Sequence, residues 1–322
     1  MTPSLRIVFM GTPEFAVSIL DNLYLSHHQI VGVVTATDKP AGRGQKVKSS
    51  AVKDFAVENN LHLLQPESLK DESFIAQLKA LNADLFVVVA FRMLPELVWT
   101  IPPKGTINLH ASLLPQYRGA APINWAIING ENKTGVTTFF INQNIDTGKI
   151  IDSKETPITE NMNVGELYQK LMDLGSELTL ETVNAISTDD VQPKSQAELI
   201  DADLKHAPKI YRETGKINWD NSANTNHNLI RGLSPYPGAW AMLYNTKKQE
   251  LVQFKLLDSK KSEIKVNNSK NLLLHENGIL FPCSDEYLIV NKLQPEGKRS
   301  MHFKEFIAGH NLADWLIESE VK

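Results

Sequence analysis

DLFVVVAF, residues 84 to 91, is nearly unbroken in apolar residues over the length of a single strand. A strand with one wet face alternates apolar and polar residues. A continuous run belongs to a strand covered on both faces, as at the centre of a parallel sheet. Working outward, LRIVFMG (5–11), IVGVVT (30–35) and GTINLH (105–110) are further β-branched or aromatic-rich runs of strand length. Between them, 13–25 and 67–81 carry apolar residues at three- and four-residue spacing, the helical period. Strands alternating with helices predict an α/β fold with a doubly wound, mostly parallel sheet, whose ligands bind outside the carboxyl ends of the strands.

The chain has 322 residues, a length that suggests two domains. GELYQKLMDLGSELTLETVNAI (165–186) reads as a long helix with apolar positions at 167, 171, 174 and 178. The polar stretch that follows, with two prolines and no sustained pattern, reads as a linker. Beyond it LVQFKLLD, NLLLHENGILFPCS and EYLIVNKLQ are short strands divided by Gly, Pro and charged turns, the pattern of a small β-barrel of OB-like kind. The expected organisation is therefore a Rossmann-like catalytic domain over 1–189, a linker over 190–208 and a C-terminal β-barrel over 209–322. Both domains read as self-contained, so a monomer is expected.

Several function classes fall away. Net charge is −4, so the molecule as a whole is not a basic nucleic-acid binder, although from Lys209 onward 16 basic residues face 13 acidic ones, against 17 and 24 before it. The single cysteine, Cys283, excludes a disulfide framework and any Cys-based zinc site, and a reducing cytoplasm is the simplest setting. No apolar run is long enough for a membrane span. Gly11 follows the first strand but lacks the partners of a G-x-G-x-x-G fingerprint, and Gly42 and Gly44 have no third glycine. Thr12 as N-cap and Pro13 as first helical residue account for that turn without a nucleotide. No His-x-x-x-His pair with a carboxylate occurs, and His27 and His28, adjacent, point to different sides of a helix, so no metal is expected. No G-x-S-x-G elbow supports a hydrolase.

Chemistry concentrates in INLHASLLPQYRGAAPINWAI (107–127). Residues two apart on a strand share a face, so Asn108 and His110 project together at the carboxyl end of a candidate parallel strand. An Asn amide can donate to negative charge developing on a carbonyl oxygen, and a His moves protons near neutral pH. The pair suits attack by an amine on an acyl carbon. Asp146, in the turn Asp146-Thr-Gly beyond the strand GVTTFFI, supplies a carboxylate to orient the imidazole or a relay water and favour its protonated form.

The order Asn-x-His-x-Ser-Leu-Leu-Pro-x-Tyr-Arg-Gly from Asn108, then Pro-x-x-Trp-Ala-Ile from Pro122, Gly130-Glu, Thr134-Gly-Val-Thr and Asp146-Thr-Gly-x-Ile, resembles the 10-formyltetrahydrofolate-dependent formyltransferases. The resemblance implies Asn108, His110 and Asp146 as the catalytic trio and 10-formyltetrahydrofolate as co-substrate. It makes Ser112, Leu113, Leu114 and Pro115 the loop lining the folate site. VVVAFRMLP (87–95) matches the strand and turn that hold the pterin through backbone groups, with Phe91, Arg92 and Leu94 as contacts. Many members have Tyr-Gly where this chain has Phe91-Arg92, so a side-chain role there is not carried over.

The family's branches differ in acceptor: glycinamide ribotide, an amino-sugar nucleotide, or methionine esterified to initiator tRNA. The purine-pathway branch would leave 209–322 unexplained. FMGTPEFAVSIL (9–20), KINWDNSANTNHNLIRGLSPYPGAW (216–240) and LQPEGKRSMHFKEFIAGH (293–310) resemble the tRNA branch. The segment 37–53 holds five basic residues against Asp38, and the resemblance places it on an acceptor stem, with Lys39, Arg43, Lys46 and Lys48 toward phosphates and Arg43 reaching toward bases. Lys298 and Arg299 are candidate tRNA contacts of the second domain. IRGLSPYPGAW (230–240) reads as a tight connector between the domains, with no catalytic role for Arg231. Initiator methionyl-tRNA is thus the expected partner. The alternatives are an amino-sugar-nucleotide formyltransferase and a non-catalytic nucleic-acid-binding protein that keeps the fold.

Overall fold

The computed structural model describes residues 3–41, 46–199, 203–267 and 270–317. They divide into two compact units, neither continuous in sequence: Met1–Gly119, Thr134–Thr156 and Tyr168–His206 form the first, and Ala120–Lys133, Pro157–Leu167 and Ala207–Lys322 the second.

The first unit is an α/β layer structure. Its strands are β1 (Arg6–Gly11), β2 (Gln29–Val34), β5 (Leu63–Leu64), β6 (Leu85–Val89), β7 (Thr106–His110), β9 (Lys133–Phe140) and β10 (Ile150–Pro157). They lie in the order β10-β9-β7-β6-β1-β2-β5. β1, β2, β5, β6 and β7 run parallel to one another. β9 pairs antiparallel with β7, setting Thr137 opposite His110. All five residues of β6 are buried, as its unbroken apolar run requires of a strand covered on both faces. The small hairpin of β3 (Lys39–Ala41) and β4 (Lys46–Lys48) stands apart from this sheet.

Helices α1 (Glu14–Tyr24), α2 (Ala51–Glu58), α3 (Glu72–Ala80), α4 (Glu96–Trp99) and α6 (Val164–Ser187) accompany the strands. Ser50 and Asp71 cap α2 and α3 by accepting the Lys53 and Phe74 N–H groups. The helix expected from residue 67 therefore begins later, at its acidic cap. Thr12 does not cap α1. Pro13 holds the N-cap position without a side-chain bond, and the Phe15 N–H donates instead to the Tyr168 hydroxyl at 2.9 Å. Gly11 answers to packing: a Cβ there would lie 2.6 Å from the Ala16 Cβ. His27 and His28 are not helical. They lie in the bend after α1 with their rings 4.0 Å apart, and His28 bonds Leu5 and Asn184.

The second unit joins α5 (Pro122–Ile128) and α7 (Ala223–Gly232) to a curled antiparallel sheet. That sheet comprises β12 (Ala239–Asn245), β13 (Glu250–Lys265), β14 (Leu273–His275), β15 (Gly278–Pro282), β16 (Glu286–Pro295), β17 (Met301–His302) and β18 (Trp315–Ile317), with α8 (Phe303–Gly309) alongside. Its order is β14-β15-β16-β13-β12-β18, and a bridge from Asn271 to Leu316 draws the two edges together into a barrel-like curl. Phe254 meets Phe306 and Trp315 edge-on in its core, with ring centroids 5.6 and 5.1 Å apart. α5 and α7 cross closely at Gly232, where a Cβ would lie 2.7 Å from Ile128.

IRGLSPYPGAW is not a connector between the units. It lies within the second, from the end of α7 into β12. Arg231 is buried and donates to the Thr159 and Met162 carbonyls, a structural task.

Candidate active site

β7 delivers the first two members of the trio. Pleating puts Asn108 and His110 on one face and buried Leu109 on the other, where a Cβ at Gly175 of α6 would lie 2.7 Å from it. Asn108 is half-buried, and among the described residues no hydrogen bond engages its amide. His110 is buried, with Nε2 2.9 Å from the Tyr117 carbonyl. A carbonyl only accepts, so Nε2 carries the hydrogen and Nδ1 is left as the nitrogen that can take a proton. Asp146 Oδ2 lies 3.8 Å from that Nδ1. The structure therefore brings His110 and Asp146 together from positions 36 residues apart, by holding two loops.

The first loop, 111–119, folds back over the end of β7. Thr137 of β9 secures it: its hydroxyl donates to the Ser112 carbonyl at 2.7 Å and accepts the Leu114 N–H at 3.1 Å. Ser112 donates its own hydroxyl to the Gln116 carbonyl at 2.7 Å. Tyr117, at φ 60, then turns its carbonyl onto the imidazole, and the Gly119 N–H donates to Asp146 Oδ2 at 3.0 Å. The second loop, 141–149, carries Asp146 at φ 53, a left-handed conformation that an Asp tolerates better than a bulkier side chain. Gly148 follows it where nothing larger fits, because a Cβ would stand 1.6 Å from the Phe140 carbonyl oxygen.

Three residues that pattern reading passed over support this arrangement: Thr137, the Tyr117 carbonyl and Gln196. Gln196 lies in the stretch read as a linker, yet it is 3% exposed and bonds the Asp146 turn. Thr137 ends the Thr134-Gly-Val-Thr motif, and its place opposite His110 emerges only from strand pairing. Gln196 carried no periodic or motif signal.

β6 and β7 are neighbours in the parallel sheet, so the segments after them, 90–95 and 111–115, leave its carboxyl edge side by side. Leu94 is buried with Phe86 and Val98. Leu114 packs with Phe139 and Ile150. Pro115 is buried, whereas Leu113 and Phe91 are half-buried. Arg92 is turned away, donating to the Glu67 carbonyl at 2.8 Å and to that of Pro66, with its guanidinium 5.5 Å from the Phe91 ring. Its side chain ties the loop down. Among the described residues no group of His, Cys, Asp or Glu could hold a metal ion.

The basic segment is anchored at its base. Lys53 pairs with Asp38 at 2.5 Å, and Gln65 also donates to that carboxylate. Lys53 first and Gln65 second hold the carboxyl below the usual range. Lys39 and Lys46 lie on opposite arms of the β3–β4 hairpin, Lys48 is exposed, and Arg43 lies outside the described residues. In the second unit Lys298 and Arg299 occupy the exposed turn after β16, where Arg299 pairs with Glu305 at 3.2 Å. An exposed pair of this kind is worth at most about 1 kcal/mol, and a phosphate can displace it.

An amide donor and a carboxylate-faced imidazole at the carboxyl edge of such a sheet are the equipment of acyl transfer to nitrogen. Family comparison gives the class: the formyl transferase model matches residues 5–183, and that of the formyl transferase C-terminal domain matches residues 209–311. The chain belongs to the formyl transferase family. It is 50% identical over 311 residues to the methionyl-tRNA formyltransferase of Flavobacterium johnsoniae, covering 96% of this chain and 98% of the relative. It is 48% identical to that of Bacteroides thetaiotaomicron, covering 96% and 97%. Among solved structures, a sugar 3N-formyl transferase determined in the presence of dTDP and 5-N-formyl-THF matches with a TM-score of 0.64 at 22% identity, over 92% of this chain and 99% of that one. HypX of Aquifex aeolicus in complex with tetrahydrofolic acid matches at 0.62 and 18%, over 98% and 51%. At these identities the two structures attest the fold.

Proposed function

We propose that this chain transfers the formyl group of 10-formyltetrahydrofolate to the α-amino group of methionine on initiator tRNA. The geometry of His110 and Asp146 beside an unengaged Asn108 amide carries the reaction class, and similarity along nearly the whole chain to enzymes named for methionyl-tRNA supports the acceptor. The folate supplies an acyl carbon. As the amine forms its bond to that carbon and the bond to the folate nitrogen breaks, the Asn108 amide donates to the negative charge growing on the formyl oxygen. His110 takes the ammonium proton at Nδ1 and returns one to the departing nitrogen, so protons balance. Asp146 faces that nitrogen throughout and meets the imidazolium with negative charge. The half-buried faces of Phe91 and Leu113, with the backbone of 90–95, line the folate site.

Residues 1–189 hold the catalytic residues and 209–322 the tRNA-binding ones in this reading, with 190–208 between them in sequence. Lys39, Arg43, Lys46 and Lys48 contact acceptor-stem phosphates and bases, and Lys298 and Arg299 contact the tRNA from the second unit. A cytoplasmic monomer fits two units with their own cores and one buried cysteine.

The test is incubation with 10-formyltetrahydrofolate and methionyl-tRNA, initiator against elongator. Formylation of the initiator alone is the expected result, and Asn108→Ala should lower its rate by about 10²–10³-fold. A folded His110→Ala enzyme of normal turnover overturns the roles. Formylation of an amino-sugar nucleotide in place of tRNA overturns the acceptor, and absence of folate binding overturns catalysis altogether.

A further inference from the structure

Gln196 opens the short 3-10 turn Gln196–Leu199, just after Lys194 has paired with Ile150. It is 3% exposed, and its amide is spent on four bonds. Nε2 donates to the Asp146 carbonyl at 2.9 Å and to the Gly148 carbonyl at 2.8 Å. Oε1 accepts from Arg118 Nε at 3.0 Å and Nη2 at 2.6 Å. One end of the amide thus holds the Asp146-Thr-Gly turn and the other holds the residue before Gly119. Those are the two segments that meet at Asp146 Oδ2, through the Gly119 N–H. Their separation decides where the Asp146 carboxylate stands before His110.

We propose that Gln196 is a positioning residue for formyl transfer: it clamps the Asp146–Gly148 turn to Arg118 and so keeps the Asp146 carboxylate facing His110 Nδ1. The inference rests on the role given above to Asp146. Asp146 sits in a left-handed conformation, costlier for a non-glycine residue than a right-handed one, and the two bonds from Gln196 Nε2 hold the turn in it. The two ends of the amide differ in kind, which makes them separable. A glutamate keeps the acceptor for Arg118, and strengthens that pair, but brings an oxygen against two carbonyl oxygens and donates to neither.

The experiment uses the full chain with initiator methionyl-tRNA and 10-formyltetrahydrofolate, comparing wild type, Q196E, Q196M, D146A and the double variants. Thermal melts accompany the kinetics, and Q196M, uncharged and of similar shape, is read in place of Q196E if the latter melts below the assay temperature. The expected result is a kcat lowered by about 10–100-fold with the folate KM unchanged, since a misplacement near 1 Å has that scale. In the D146A background the same change should alter kcat by no more than about twofold, the signature of two residues acting as one. A Q196E enzyme with wild-type kcat, or one whose loss is as large with D146A as without it, overturns the clamp alone. A D146A enzyme of wild-type rate overturns the reading of Asp146, and the clamp with it.

Discussion

Replacing Thr137 by Val tests how the active-site loop is held, because it removes one oxygen and preserves the shape. Thr137 is fully buried on β9, opposite His110, and its hydroxyl serves two partners at once, the Ser112 carbonyl at 2.7 Å and the Leu114 N–H at 3.1 Å. Both bonds lie out of water, so the methyl of Val leaves two buried polar groups without a partner. Each such group costs about 1–3 kcal/mol, and the extra apolar contact offsets little, so the loss should total about 2–5 kcal/mol. For a unit of this size that is a fall of roughly 5–15 °C in melting temperature. Activity should fall further than stability implies at an assay temperature where the protein stays folded, because the same loop turns the Tyr117 carbonyl onto His110. Thr137→Ser, which keeps the hydroxyl, is the control. Differential scanning calorimetry and formylation rates on the three proteins decide it. Equal melting temperatures and equal rates for wild type and Thr137→Val would refute the claim that this hydroxyl holds the loop.

Gly148→Ala should leave a soluble protein with formylation reduced by about 10²-fold, since the added methyl meets the Phe140 carbonyl and must push the Asp146 turn away; initial rates at saturating folate check this. His28 and His227 are both held below their ordinary value, chiefly by burial. The unfolded chain therefore binds protons near pH 6.5 that the folded one refuses, and stability should decline as pH falls below that value, read as melting temperature at pH 7.5 against 5.5. His227→Gln should flatten that decline. Burial pushes the Cys283 thiol up to about 11, so the native protein should resist iodoacetamide at neutral pH. Here the folded state keeps a proton the unfolded state releases, so stability falls with rising pH from about 9 towards 11, and Cys283→Ala should make that fall shallower.

What pattern reading could reach follows from how local each feature is. The strands ending at Gly11, Val34, Val89 and His110 declare themselves because a buried parallel strand must be apolar on both faces, and 84–91 shows it without interruption. Asn108 and His110 were legible as a pair because strand period is local geometry. Asp146 became legible through the motif around it, as no local signal ties residue 146 to residue 110. Gln196 stayed hidden: a single polar side chain in a polar stretch looks the same whether it faces water or makes four hydrogen bonds to Asp146, Gly148 and Arg118. The N-terminus of α1 misled because Thr-Pro is a good cap sequence, and only the folded chain shows the Tyr168 hydroxyl accepting the Phe15 N–H. The 230–240 stretch misled likewise, since prolines and glycines mark a sharp path of the chain without saying which body that path belongs to.

That the second unit is gathered from three separate stretches bears on what can be inherited or engineered as a module. The chain passes between the two units five times, at 119, 133, 156, 167 and 206. A gene fragment beginning at residue 209 would omit α5, and with it Ile128 against Gly232 and the Asn124 amide on the Gly232 carbonyl, 2.8 Å apart. It would also omit the 159–162 carbonyls that accept from Arg231 and His227, leaving the buried guanidinium only its Nε bond to Asn228. Recombination at the sequence boundary between the two family models would thus cut through an interior. The second unit could change its surface residue by residue over evolutionary time, but it could not be traded as a cassette.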